Sequence, residues 1–419
     1  MVQLSTDSFL SSPAMMPIDA AIDVLRGRLV PVAEVEHVPV AEASGRILAS
    51  DVVAPVAVPA FDNSAVDGYA VCHADLAAGQ ETVLPISGRV PAGTVDPAPL
   101  TRGTAVRIFT GAPMPQGADT VFMQEDTREV SGAVSLPPGL KPGANRRFAG
   151  EDFAKGTIVL AAGRRLRAPD LAALSALGLA KATVRRRLKA ALFSTGDEIV
   201  EPGQALRHGA QYDSNRTLLA DLLRSRGVLV TDLGILPDRR EAIGAALDRA
   251  ALGHDIILTS GGVSTGEEDH VKQAVEERGA LSLWRLAIKP GRPVAMGTIR
   301  GAAFIGLPGN PVASFVTFVR FAGPLIDHLG GAVQSAMPGF PGLADFHYTK
   351  KAGRREFLRG SMTVSDTGQL HLSRYRRDGA ALISSLIASD GLIELDEATI
   401  EVAPGTPVRF VPFAQLMQG

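Results

Sequence analysis

The sequence is poor in cysteine: Cys72 is the single thiol in 419 residues. That excludes an internal disulfide framework and a cysteine zinc site, and it fits a reducing compartment. An excess of charge of either sign is also missing, since 42 Lys and Arg face 44 Asp and Glu for a formal net charge of −2. Such a balance supplies no basic field for nucleic acid or an anionic membrane. No unbroken apolar run reaches the roughly 18 residues of a membrane span; the best candidate, 312–326, is interrupted by Arg320 and Pro324 and reads as a buried helix. Residues 1–10 have no basic stretch followed by an apolar core, so neither a signal peptide nor an anchor is expected, and a cytoplasmic protein is. The eight histidines are scattered without an HExxH, which argues against a histidine zinc site. A GxxxxGK[ST] phosphate loop and a GxGxxG fingerprint are absent as well.

What is present is globular: 46% hydrophobic and 21% charged residues, at a length that suggests about three domains. Ile18, Ala21, Ile22, Leu25 and Leu29 recur at helical spacing behind Pro17. A short second helix is expected over 40–49, and 51–59 reads as an extended connector. Residues 60–145 are turn-rich with short apolar runs and read as a small β domain. Helical patterns flank it on both sides, so it could be an insertion into one discontinuous domain.

From 188 onward strands and helices alternate. Strands are expected at 188–193, 227–234, 255–260, 293–298 and 302–307, and helices at 214–226, 238–252, 269–278 and 311–329. The natural solution is a three-layer, mostly parallel α/β sheet with its strand C-termini along one edge, where ligands bind. Residues 331–343 read as a linker. Short strands at 357–364, 370–375, 392–395 and 408–411 then suggest a small C-terminal β barrel or sandwich.

Three glycine turns follow predicted strands of the α/β segment: Ser194, Thr195 and Gly196; Ser260, Gly261, Gly262, Ser264 and Gly266; and Pro308, Gly309 and Asn310. Glycine lets backbone approach a phosphate, and the next helix N-terminus offers free N–H groups. One such turn is ordinary in any α/β protein, whereas three on one sheet edge favour anion binding. Residues 262–266 also match a GxSxG nucleophile elbow, but Gly261 and Gly262 separate the serine from the strand and no HGGG segment precedes it, which disfavours a hydrolase triad. Acids crowd the same loops: Asp197 and Glu198, then Glu267, Glu268 and Asp269. A Mg²⁺ between carboxylate and phosphate would resolve the repulsion; stabilisation of a helix N-terminus explains at least one of them. In a strand, Arg285 and Lys289 would share a face. Arg146 and Arg147 precede Glu151 and Asp152, a pattern that suits a surface salt bridge. In the β segment, Asp62, Asn63, Ser64 and Asp67 form a dense polar cluster; Asx turns explain Asp62 and Asn63 without function, and a cluster this dense is also how metal or substrate loops look.

Taken in order, seven segments resemble the molybdopterin molybdenumtransferase family: FDNSAVDGYAV at 61–71, RIFTGAP at 107–113, GED at 150–152, ALFSTGDE at 191–198, SGGVSTG at 260–266, LAIKPG at 286–291 and GLPGNP at 306–311. Each is weak alone; together they span most of the chain. The resemblance implies a discontinuous linker domain (13–53 and 147–185), an inserted β module (54–146), an α/β molybdopterin-binding domain (186–332) and a C-terminal β barrel (333–419). It implies a homodimer with its active site between the α/β domain of one chain and the β module and linker of the other. It further implies molybdate and adenylylated molybdopterin as substrates, Mg²⁺ as cofactor, release of AMP, and contact with the molybdopterin adenylyltransferase.

Carried over by motif, Asp67, Asp152, Glu198, Asp238, Asp269 and Lys289 are the expected catalytic residues, with Glu198 and Asp269 as metal ligands. Thr110, Arg146, Arg285 and Arg292 join the glycine-turn residues as substrate contacts. Arg285 and Arg292 stand where the family usually has lysine, which keeps charge but changes donor geometry. Ala380 and Ala381 replace a usual Ser-His pair, which removes a hydroxyl and an imidazole. The other readings are a molybdopterin-binding scaffold without catalysis and a metal-dependent phosphoanhydride hydrolase indifferent to molybdate.

Overall fold

A computed structural model describes residues 15–31, 34–262, 270–333 and 339–417. Its central sheet has the strand order Leu229–Leu236, Lys189–Thr195, Ile256–Ser260, Ala302–Leu307, Pro293–Ile299 and Gly279–Arg285. The first three junctions are parallel and the last two antiparallel. The three inner parallel strands, Lys189–Thr195, Ile256–Ser260 and Ala302–Leu307, are buried almost along their whole length, as expected of strands covered on both faces, while the edge strand Leu229–Leu236 is more exposed. Their side chains alternate between two cores. Ala190, Leu192, Leu258 and Ile305 pack with the helices Asn215–Arg224 and Pro311–Leu329. Ala191, Phe193, Ile257 and Phe304 pack with Arg240–Gly253 and His270–Glu276. The stretch Pro311–Leu329 is apolar and long enough to pass for a membrane span, but 78% of it is buried in this core. The Ile18–Arg26 helix also buries Ile18, Ala21, Ile22 and Leu25 there.

The β module is a sheet ordered Thr120–Met123, Gly68–Val71, Ala105–Ile108, Thr82–Val90, Ala133–Leu136 and Arg128–Val130. The chain flanks on either side of it pair with each other: Val35–Pro39 with Lys181–Arg185, and Val52–Val53 with Ile158–Leu160. The helix expected over 40–49 does not form. Instead a strand, Val35–Pro39, leads into a single 3₁₀ turn, Val40–Glu42. Its partner lies more than 140 residues away in register, which no local pattern reveals.

At the C-terminus, Arg355–Val364, Leu370–Arg374, Phe340–Ala344, Pro407–Pro412 and Gly391–Leu395 pair in turn, and the last returns to the first. The barrel therefore closes and keeps no free edge of its own. The linker expected over 331–343 is corrected here, because Phe340–Ala344 is a barrel strand. Its Gly and Pro residues mimic a loop, yet its alternate residues Gly342 and Ala344 face inward.

The junction between the linker strands and the α/β core is tied by a carboxylate between two arginines. Asp327 accepts from Arg165 at 2.7 Å and lies 3.6 Å from Arg226, whose side chain is only 2% exposed. Removing one partner of a buried pair leaves the others uncompensated. Asp327→Ala is therefore expected to lower the free energy of unfolding by about 3–5 kcal/mol, read as a shift of the urea midpoint.

Candidate active site

Parallel register delivers the three glycine turns to one place. Ser194 lies level with Ser260, and Ser260 with Leu307, so all three strands end together. The Gly261 N–H donates to the Leu307 carbonyl at 3.0 Å, joining two of the turns. Gly262 has φ +63°, and a Cβ there would lie 2.5 Å from Val271. Glycine is the residue that this bend accepts. Thr195 donates its hydroxyl to Asp238 at 3.2 Å, which brings that acid to the same edge. The exposed Glu198 carboxylate folds back over Gly196. Ser264 and Asp269 lie outside the described residues.

One organising residue was missed in the sequence. Buried Asn215 opens the Asn215–Arg224 helix and donates through Nδ2 to Ser260 Oγ at 2.7 Å and to the Gly309 carbonyl at 2.6 Å. It staples the second turn to the third. The signal was the Asp213-Ser214-Asn215 run, which by itself reads as a helix start.

A cleft of about 420 Å³ opens between the second and third of these turns and the barrel. Gly261, Gly262, Pro308, Gly309 and Asn310 form one wall, with Lys289 and Pro290 beside them; Tyr348, Glu356, Arg359, Asp378 and Ala380 form the other. Lys289 donates to Tyr348 Oη at 3.1 Å and to Glu356 at 3.2 Å. Burial disfavours its charge, but Tyr348 and Glu356 outweigh this and hold its pKa above the ordinary lysine value. Arg359, a second cation that the sequence reading missed, is buried and bonds Ser385 Oγ at 3.0 Å and the Gly379 carbonyl at 3.3 Å. It hides within an apolar strand pattern. Ala380 contributes its backbone: its carbonyl accepts from the Val312 N–H at 2.9 Å.

The expected shared face of Arg285 and Lys289 does not exist. The strand stops at Arg285, and Ile288–Lys289 pairs instead with the barrel strand at Arg355 and Glu356. Arg285 and Arg292 are exposed and do not line the cleft.

Of the other predicted residues, Ser194, Thr195, Gly196, Glu198, Asp238 and Ser260 stand at the sheet edge without lining this cleft, while Asp67, Thr110 and Arg146 lie in the β module and Asp152 just after it, also away from the cleft lining. Asp67 accepts from the Thr110 N–H and from its hydroxyl, both at 2.7 Å, and these two bonds hold the Asp67 carboxyl below the usual range. Arg146 is paired with Asp62, which also accepts from the Ala149 N–H at 2.8 Å. Asp152 is exposed, and its N–H donates to the Val58 carbonyl at 3.1 Å. Among the described residues, no three His, Cys, Asp or Glu side chains converge as a ready metal cage.

A sheet edge of glycine turns that faces a barrel across a cleft lined by Lys289 and Arg359 has the character of an enzyme cleft suited to anions. Family models for the MoeA N-terminal region (domain I and II), a probable molybdopterin binding domain and the MoeA C-terminal region (domain IV) match residues 16–178, 191–328 and 342–413. The chain is 38% identical over 405 residues to a molybdopterin molybdenumtransferase of Haemophilus influenzae, covering 96% of this chain and 100% of that one. It is 35% identical over 381 residues to molybdopterin molybdenumtransferase 2 of Mycobacterium tuberculosis, covering 89% and 93%. The solved molybdopterin biosynthesis moeA protein from Pyrococcus horikoshii OT3 matches with a TM-score of 0.80 at 29% identity, covering 96% of this chain and 100% of that one. The chain belongs to the molybdopterin molybdenumtransferase family, a family of enzymes.

Because Thr110 stabilises the charged form of Asp67, Thr110→Val removes the hydroxyl bond and raises that carboxyl's pKa. In this variant the Asp67 carboxyl is expected to titrate at higher pH than in the wild type, a shift read by NMR of the side-chain carboxyl carbon across the acid range.

Proposed function

We propose that the chain inserts molybdate into adenylylated molybdopterin with Mg²⁺-dependent release of AMP. The observation that carries the reading is the cleft between the glycine turns and the barrel, with Lys289 and Arg359 both lining it. In this reading the turns at 194–196, 260–264 and 308–310 cradle the pterin phosphate and its adenylate through backbone N–H groups and hydroxyls. Asn215 keeps two of those turns in register. Lys289 and Arg359 attract the molybdate dianion, and exposed Arg285 and Arg292 add to the field outside the cleft. As Mo–S bonds form at the dithiolene, Mo–O bonds break and the oxide leaves as water with the dithiol protons; water cleaves the phosphoanhydride, so AMP leaves and the phosphate stays on the pterin.

The donor chemistry fits Mg²⁺ carried in on phosphate oxygens. Glu198 is exposed and makes no ion pair among the described residues, and Asp238 stands at the same sheet edge. Two carboxylates with substrate oxygens and water are a usual Mg²⁺ shell. Glu198 and Asp238, with Asp269, would hold the ion, which when bound neutralises charge on the phosphoanhydride.

Asp67, Thr110, Arg146 and Asp152 complete the site from a second copy of the chain. Support for a homodimer comes from the exposed apolar residues on and beside the linker strands: Val53, Val56, Phe61, Phe148 and Ile158. The three-layer α/β domain at 186–332, the module at 54–146, the linker at 13–53 and 147–185 and the barrel at 333–419 are the working partition. The enzyme acts in the cytoplasm and receives its substrate from the molybdopterin adenylyltransferase.

The test is AMP release from adenylylated molybdopterin with Mg²⁺, with and without molybdate. Molybdate-dependent release that yields active cofactor supports the transferase, and release indifferent to molybdate supports the hydrolase. Binding without release supports the scaffold. Asp67→Ala is expected to lower turnover by at least about 100-fold, with the dimer intact by sedimentation.

A further inference from the structure

We infer that Glu356 and Tyr348 are positioning residues that aim the Lys289 ammonium into the cleft. This rests on the reading of Lys289 as an anion contact. Residues 288–289 pair in parallel with the start of a barrel strand, which sets Lys289 level with Glu356. The Glu356 side chain is fully buried while that of Lys289 is 44% exposed. An ammonium has three N–H donors. One goes to Tyr348 Oη at 3.1 Å and one to Glu356 Oε2 at 3.2 Å. The third is left for a ligand. Tyr348 in turn donates its hydroxyl to Glu356 Oε2 at 2.7 Å, so the three groups form a closed triangle. A long, freely rotating lysine stem is thereby reduced to one orientation.

The carboxylate does not cancel the field of the site. Its other oxygen, Oε1, accepts from Arg354 Nε at 2.9 Å, so two cations share one anion. Arg374 lies 5.4 Å from the Tyr348 ring centroid and adds a third positive charge on that side. Burial pushes the Glu356 carboxyl toward its neutral form, but Tyr348, Lys289 and Arg354 together outweigh that and keep it charged. The same contacts could merely fasten the barrel to the α/β domain. The two roles separate in a double-mutant cycle, because a positioning residue acts through Lys289 and a fastener does not.

The experiment compares Glu356→Gln, Tyr348→Phe and Lys289→Met with the double variants, by two readouts. In AMP release, E356Q is expected to raise the KM for molybdate about tenfold with a smaller change in kcat, and to add nothing further to the KM in the Lys289→Met background. In acetylation of Lys289 with acetic anhydride, followed by mass spectrometry with no ligand present, E356Q is expected to speed labelling several-fold, because an unpaired amine loses its proton more readily. An E356Q penalty that persists in full without Lys289, or unchanged labelling, overturns the inference. If E356Q does not fold, Tyr348→Phe, which keeps the ring, carries the same cycle. Should the wild type release no AMP in response to molybdate, the functional reading falls, and the labelling arm still decides whether Glu356 and Tyr348 position the lysine.

Discussion

Everything in the cleft depends on the register of the central sheet. Because the Lys189–Thr195, Ile256–Ser260 and Ala302–Leu307 strands run parallel and end level, their exits converge without any long loop. The reversal of one strand serves the same edge. Pro293–Ile299 runs antiparallel to its neighbour, so it begins where the others end; Gly279–Arg285, antiparallel again, finishes there. The segment between them, which carries Lys289 and Pro290, thus turns over the same edge as the glycine loops. A single change in strand direction brings a cation to sites that are otherwise backbone and hydroxyl. Asn215 then fixes the spacing of two turns with one buried amide.

The site divides its chemistry between layers of different rigidity. Backbone N–H groups and small residues come from the sheet, where apolar packing on both faces holds them. Charge comes from side chains anchored in the barrel or bonded to it, as with Arg359 and Lys289. Such an arrangement suits a substrate that is itself divided, with a flat ring system and phosphates needing close approach and a compact oxyanion needing point charges. The acids of the β module stand apart from this cleft. Asp67 is held charged chiefly by its two bonds from Thr110, with the Arg107 charge a lesser contributor.

Much of this was legible in the residues. The alternation of strands and helices from 188 onward, and the three glycine turns, follow from hydrophobic period and turn chemistry, both of which are local. The failures were also consistent in kind. The Val35–Pro39 strand, the Phe340–Ala344 strand and the break after Arg285 all depend on partners distant in sequence, which override local propensity. Asn215 and Arg359 were invisible for a related reason. Their importance lies in what they touch across the fold, and their neighbours in sequence advertise only a helix start and a strand interior. The density of polar residues over 62–67 already suited a metal or substrate loop as well as Asx turns, and the resemblance is what gave Asp67 and Asp152 an expected catalytic role.

The closed barrel has a consequence for how this site can change over generations. All five strands of the ring find partners within it, and only the first residues of Arg355–Val364 are lent to the α/β domain. The segment 376–389, which reaches over the cleft, contributes nothing to that ring of ladders. Because Ala380 lines the cleft from outside that ring, side chains at 376–389 can vary at the mouth of the site without touching the ladders that close the barrel.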